Sequence, residues 1–283
     1  MSAVPGAVDV AVCQVRVAVG RAEENLARGA AAAEEAARRG ARVVVLPELL
    51  RSGYVFGSAA EARGLAEPLD GPTVTTLADL ARRHDLVVAA GLAERAGDGS
   101  LRNSAVLVDA SGLRSVYRKV HLWDREGEFF VAGDRPPEVV ETAVGRLALV
   151  ICYDLEFPEW MRLAALAGAD LVCAPTNWPG PRRHPGERPI EAVQVQAGAA
   201  ANRMFVAACD RTGAERGVQW VAGSVVVGPD GYPLAEAVPG GGEQVLLARC
   251  RLAEARDKRT SARNDVHADR RPHLYAGLGG GPT

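Results

Sequence analysis

Two similar α/β halves packed sheet on sheet, with helices outside, is the fold class that this sequence predicts. Strand-like and helix-like segments alternate along most of its 283 residues, the pattern of layered α/β proteins. An internal echo divides the chain. Gly40-Ala41-Arg42-Val43-Val44-Val45-Leu46-Pro47 is answered by Gly168-Ala169-Asp170-Leu171-Val172-Cys173-Ala174-Pro175. Each copy reads as a helix end, a Gly-Ala-charge step, four apolar residues and a proline. No repeat of roughly 20–50 residues is present, which excludes a solenoid. The length fits one α/β domain over 1–283, with 251–283 as a C-terminal tail.

Taken in order, Val8 to Val15 is apolar and β-branched and reads as a strand. Asn25 to Arg39 is rich in Ala, Glu and Arg and reads as a helix closed by Gly40, which reaches the left-handed conformation that helix ends favour. Val43 to Leu46 is a short buried strand. Thr73 to His84 reads as a helix and Leu86 to Ala90 as the next strand. Ser104 to Val108 and Leu113 to Lys119 form two strands about a turn at 109–112. Gly145 to Ile151 is a strand, and Pro158 and Gly168 bracket the helix after it. Leu171 to Ala174, Met204 to Cys209, Trp220 to Val227 and Gln244 to Cys250 read as strands, and Glu187 to Arg203 as a helix. The tail beyond Cys250 is charged, ends in GLGGGPT, and reads as extended, packing on a partner subunit.

Composition narrows the function. Lys and Arg number 33 against 35 Asp and Glu, so no basic excess exists to neutralise a nucleic-acid backbone. No apolar stretch approaches the ~20 residues that a bilayer requires, and the N-terminus lacks the apolar core of a leader, so no membrane role is expected and the chain reads as cytoplasmic. The five cysteines are odd in number and widely spaced, without a C-x-x-C pair, which argues against a disulfide framework or a zinc knuckle. No two of the five histidines are spaced i, i+4, and no phosphate-binding glycine loop or G-x-S-x-G elbow occurs, so neither metal nor cofactor is expected. Lysine occurs only twice, at 119 and 258, among 33 cations. A lysine that survives such a bias toward arginine has a claim to be needed as a compact ammonium.

Three segments end a strand and then present a reactive side chain, where α/β folds keep their active sites. Glu48 follows a buried strand and Pro47; partial desolvation there raises a carboxylate toward general-base range. Lys119 ends the second strand of the hairpin and can stabilise a developing oxyanion. Cys152 stands where the strand from Gly145 stops, before a turn whose backbone N–H groups can activate a thiol and hold an oxyanion. The other four cysteines read as buried and inert. A papain-like pairing with His121 or His184 is the rival, but neither histidine is followed by a clear Asn or Asp to orient it.

LPE at 46–48, RKVHLWDRE at 118–126 and CYDLEFPE at 152–159 together resemble the nitrilase superfamily of carbon–nitrogen hydrolases, in that family's order of Glu, Lys and Cys. Similarity extends through GADLVCAPTNWP at 168–179, ANRMFVAACDR at 201–211 and GSVVVGPDG at 223–231. The resemblance implies an αββα sandwich and pairing of subunits through helices into a homodimer or a higher even oligomer. It implies Cys152 as nucleophile, Glu48 as general base, Lys119 as oxyanion stabiliser with the Tyr153 backbone N–H, and Glu126, in preference to Glu128, as an additional active-site glutamate. It needs no cofactor. Tyr54 and Trp178 are expected to line the substrate pocket, and Asn177 to contact substrate or shape a turn.

Tyr153-Asp154 after the cysteine resembles the amidase and carbamoyl-amidase branches more than nitrilases, which usually carry Trp-Glu there. Glu156 departs from the Arg of branches acting on amides of dicarboxylic acids, and leaves room for a neutral or amine-bearing substrate. The leading expectation is a thiol amidase acting on a small aliphatic carboxamide. An N-carbamoyl amine hydrolase, a nitrilase, an acyltransferase and a non-catalytic dimeric scaffold remain alternatives.

Overall fold

The computed structural model describes residues 6–180, 186–238 and 241–279. The first half runs β1 (Val8–Gln14), α1 (Ala22–Arg38), β2 (Val43–Val45), α2 (Ala59–Leu65), α3 (Pro72–His84), β3 (Val87–Arg95), β4 (Leu101–Asp109) and β5 (Gly112–Arg118). The second half runs β6 (Val139–Thr142), β7 (Gly145–Leu149), α4 (Pro158–Leu166), β8 (Leu171–Pro175), β9 (Pro179–Gly180), α5 (Ile190–Asn202), β10 (Phe205–Cys209), β11 (Ala214–Glu215), β12 (Val218–Trp220), β13 (Val225–Val227) and β14 (Pro233–Glu236). The last strand, β15 (Gln244–Cys250), crosses back to pair with β1.

Two six-stranded sheets result, ordered β15-β1-β2-β3-β4-β5 and β14-β13-β10-β8-β7-β6. Each is built on a parallel trio, β1-β2-β3 or β7-β8-β10, with one antiparallel strand on one side and two on the other. The echoed segments are β2 and β8, the middle strands of the two trios. The repeat in the sequence is thus a repeat in the topology.

The period of two along each strand sorts the side chains between layers. Val10, Val12, Val43, Val45, Val87 and Ala89 face the second sheet and share a core with Leu147, Leu149, Val172 and Ala174. Ala11, Cys13, Val44, Leu46, Val88 and Ala90 face the other way, against Leu26 and Ala33 of α1 and Leu77 and Leu80 of α3. Strands covered on both faces read as continuous apolar runs, which is why Val43–Leu46 shows no alternation. Met161 and Ala164 of α4 and Val195 and Ala199 of α5 pack beneath the second sheet, completing an αββα sandwich.

Two readings of the sequence are corrected. The strand expected over Trp220–Val227 is two strands with a break at 221–224. The backbone amides there are drawn elsewhere: Val221 donates to the Trp178 carbonyl at 2.9 Å, Gly223 to Asp210 Oδ2 at 3.1 Å and Ser224 to Gln14 Oε1 at 3.2 Å. The tail, expected to be extended, folds back on its own chain as far as Tyr275. Arg256 forks onto the buried Asp170 at 3.1 and 3.0 Å, and Lys258 donates to the Asn202 and Arg203 carbonyls at the end of α5, both at 3.0 Å. The elements β6, β9, β11, β12, β14 and α2 are too short to show a periodic pattern in the sequence.

Candidate active site

Glu48 lies just past β2, in a loop that ladders onto the next strand: Gly91 donates to the Pro47 carbonyl at 3.1 Å and Leu50 to the Gly91 carbonyl at 2.9 Å. A side chain at 91 would bring its Cβ to 2.5 Å from Glu48 Cα, so only glycine lets the backbone of this loop sit so close to β3. Lys119 follows β5 and is held from both sides, donating its N–H to the Asn103 carbonyl and accepting from Gly133 N–H, each at 2.8 Å. Gly133 also has no room for a Cβ, which would strike the Arg118 carbonyl. Glu126 sits on a single 3-10 turn over 124–128, where its Oε2 accepts the Trp123 N–H at 3.0 Å.

These side chains meet in the interior. Lys119 Nζ donates to Glu48 Oε1 at 2.8 Å and to Glu126 Oε1 at 2.7 Å. Asn103 Nδ2, from β4, adds a bond of 2.7 Å to the same Glu48 oxygen and a longer one of 3.4 Å to Glu126. Glu48, Lys119 and Glu126 are at most 3% exposed. Glu128 is on the surface, forked with Arg125. Burial pushes the Glu48 carboxyl up to about 7; Lys119 opposes the shift and the charge of Glu126 adds to it. Burial works against the Lys119 ammonium, but the two carboxylates outweigh it and hold its pKa well above the usual lysine range.

Cys152 opens a 3-10 turn over 152–156, beyond the buried Val150 and Ile151 that follow β7. Its φ of +47° lies in the left-handed region that non-glycine residues seldom occupy, a local strain of about 1 kcal/mol or more. The Sγ atom faces the Asn177 carbonyl at 3.7 Å. Burial, followed by the charge of Glu48, raises the thiol above its ordinary pKa, while Lys119 pulls it down. Tyr153 N–H belongs to the first turn of this short helix, where an N–H has no intrahelical partner.

Asp154 fixes the turn. Its Oδ2 accepts the Ile151 N–H at 3.0 Å and the Tyr117 hydroxyl at 2.8 Å; its Oδ1 lies 3.1 Å from the His121 N–H and 2.7 Å from His121 Nδ1. His121 therefore has the carboxylate partner that the sequence reading did not find. That partner faces the strand-to-turn junction, and the charges acting on Cys152 are those of Glu48, Lys119 and Glu126. His184 lies outside the described residues.

The other expected site residues divide. Asn177 follows β8; its Nδ2 donates to the Glu48 carbonyl at 3.0 Å and its carbonyl faces Cys152 Sγ, so it links Glu48 and Cys152 across the two halves. Tyr54 lines a cavity of about 220 Å³ that opens beside Glu126. Its phenol is raised by burial and by the charges of Glu126, Glu48 and Cys152. The Tyr153 ring stacks edge-on against Trp123 at 4.9 Å and Phe157 at 5.0 Å. Trp178 is buried in the sandwich core, its N–H bonded to Asp210 Oδ1 at 3.0 Å, and Trp220 lines the cavity wall instead. Glu156 lines the groove between α4 and α5 and is not among the residues that line this cavity. Asn103, Asp154 and Trp220 were not anticipated. The hairpin placed Asn103 one strand away from Lys119, but nothing in the sequence marked its side chain.

The arrangement supplies a thiol, a base near neutrality and a fixed ammonium in a dry setting, the parts needed to attack a carbonyl carbon and hold the resulting oxyanion. The family model for carbon–nitrogen hydrolases matches residues 9–260. A nitrilase of Pyrococcus abyssi is 35% identical over 269 residues, 95% of this chain and 99% of its own. An (R)-stereoselective amidase of a Pseudomonas species is 38% identical over 196 residues, 69% of this chain and 68% of its own. Among solved structures, a mutant amidase of Nesterenkonia sp. AN1, with acrylamide added to its active-site cysteine, superposes with a TM-score of 0.78. It is 29% identical and the match covers 96% of this chain and 99% of that one. With fold, extended sequence match and a buried thiol at the strand end all in agreement, the chain belongs to the carbon–nitrogen hydrolase family, as an enzyme of its nitrilase superfamily.

Proposed function

We propose a thiol amidase that converts a small aliphatic carboxamide to the carboxylic acid and ammonia through a thioester on Cys152. The observation that carries this reading is the Lys119 ammonium, fully enclosed and held between Glu48 and Glu126 in the electrostatic reach of the Cys152 thiol.

Glu48 Oε1 is engaged by Lys119 and Asn103, while Oε2 is buried without a partner among the described residues. Oε2 takes the Sγ proton as sulfur bonds to the carbonyl carbon. The π electrons move to oxygen, where Lys119 and the Tyr153 N–H hold the negative charge. The C–N bond then breaks, Glu48 returns the proton to nitrogen, and ammonia leaves. Water, deprotonated by Glu48, attacks the thioester, and the sulfur departs and regains its proton. Because the resting thiol is raised, the thiolate forms only as the base and substrate act together. Glu126 fixes Lys119 and orients the substrate N–H₂. Asn103 Oδ1 and Asn177 Oδ1 are further buried acceptors without partners among the described residues, a setting suited to the donors of a primary amide.

A homodimer and a cytoplasmic setting belong to the same proposal. The dimer is supported by the exposed apolar residues Leu163 and Leu166 on α4 and Ile190 and Val193 on α5. The setting is supported by five buried free cysteines.

Ammonia release from propionamide, a ureido compound and a nitrile tests the chemistry. The expected result is ammonia from the amide without CO₂, abolished in a folded Cys152→Ala variant. Undiminished ammonia release by that variant overturns the assignment.

A further inference from the structure

Resting on the amidase reading, we infer that the acyl group of the substrate is uncharged and apolar, seated in an aromatic collar beside Glu126, so that amides with a carboxylate or ammonium at their far end are rejected.

The collar is the 220 Å³ cavity, walled by Tyr54, Phe56, Trp123, Phe129, Phe130 and Trp220, with Glu126 also contributing to it. That is roughly seven water volumes, room for a phenyl ring or a branched short chain. The rings brace one another edge to face: Tyr54 on Trp220 at 5.5 Å, and Phe56 on Phe129 at 5.6 Å and on Phe130 at 5.9 Å. Apolar groups entering such a wall exchange water for dispersion contacts.

The charges around the collar point the same way. Among the described residues that line it, Arg125 is the one cation. Its guanidinium forks onto Glu128 at 3.0 and 2.7 Å, above the Phe129 ring. Arg211 lies beneath the Trp220 ring at 4.5 Å, but it is buried and spent on Glu215 at 3.0 Å. A substrate carboxylate would meet Asp124 and Glu126 and find no unpaired cation among the described lining residues. A substrate ammonium would exchange its water for ring faces, with Glu126 already held by Lys119 and the Trp123 N–H and the exposed Asp124 left to pair with it.

The pair behind the wall also explains its shape. Glu215 Oε2 accepts the backbone N–H groups of Tyr54 at 2.9 Å and Val55 at 2.7 Å, while Arg211 supports Trp220 from below. Two walls from different halves of the chain are thus tied to one buried ion pair. A positioned wall discriminates by shape, where a mobile one would adapt.

The test compares kcat/KM for isovaleramide and phenylacetamide with succinamate and β-alaninamide. The expected result is a preference of at least a hundredfold for the two apolar amides. Trp220→Ala should lower the phenylacetamide-to-acetamide ratio about tenfold, and Val218→Arg should raise succinamate relative to isovaleramide. Equal or better turnover of either charged amide by the wild type, or ratios unmoved in folded samples of both variants, overturns the inference while leaving the amidase reading in place. Ammonia from none of these amides overturns both.

Discussion

Lys119 and Lys258 show why arginine did not replace every lysine. Lys119 Nζ fits between two carboxylate oxygens 2.8 and 2.7 Å away, in a space with no exposure. Lys258 Nζ spreads its donors over the two carbonyls that end α5, half-buried, with burial lowering it to about 8. A planar guanidinium matches neither geometry. Lys119→Arg is expected to cut kcat/KM about a hundredfold or more, the cost of losing one oxyanion donor, with the fold retained by circular dichroism. For Glu48, burial places the carboxyl at about 7, and the base works only when ionised. The wild-type kcat/KM should therefore rise with pH through an acid limb centred near 7. A limb centred near 4.5 would show a solvated carboxylate and remove Glu48 as the buried base.

The turn over 152–156 is the element on which the proposed chemistry depends. It holds Cys152 at a positive φ because Asp154, on the same turn, binds Ile151 N–H behind it and Tyr117 and His121 from the hairpin of β4 and β5 and the loop after it. Asp154→Asn retains size but removes the negative charge from all four contacts and turns one of the two acceptor oxygens into a donor. Its expected effects are a loss of about 1–3 kcal/mol in stability and a fall of ten- to a hundredfold in kcat, about the penalty for a small misplacement of a reacting atom. Urea unfolding and steady-state kinetics read the two separately. A variant with lowered stability but normal kcat would make the clamp structural only.

At the scale of the whole molecule, buried carboxylates oppose stability where they favour activity. Glu48 and Asp210 are both raised to about 7, each by burial first. Between their unfolded values near 4 and their folded values near 7, the folded chain binds more protons than the unfolded one, so stability falls as pH rises. His267, lowered chiefly by burial, contributes in the opposite sense. Asp210→Asn should therefore flatten the decline in urea midpoint from pH 5 to 8 relative to the wild type; an unchanged slope would contradict the burial argument. The α4–α5 face gives a second molecular prediction. Leu163 and Leu166 are each 42% exposed on a groove that also receives Val266 and Tyr275 of the tail. Leu166→Asp is expected to yield a monomer by sedimentation, and a monomeric wild type would remove the dimer proposal.

The layers, and three candidate side chains for the chemistry, were legible in the sequence. Continuous apolar strands bounded by proline and glycine are local signals, and the Gly-Ala-charge echo lies in the middle strands of both sheets. Glu48, Lys119 and Cys152 each stand at a strand end, where a side chain leaves the core pattern and becomes legible. The tertiary structure alone decided what surrounds them. Asn103 sits within an ordinary strand and acquires its role from pairing with β5. Trp220 and Glu215 reach the cavity across more than a hundred residues of chain, and Trp178 turns inward because Asp210 takes its backbone N–H. The candidates stood out by their position along a strand; the shape and charge of the pocket depend on distant groups meeting, which no local pattern encodes.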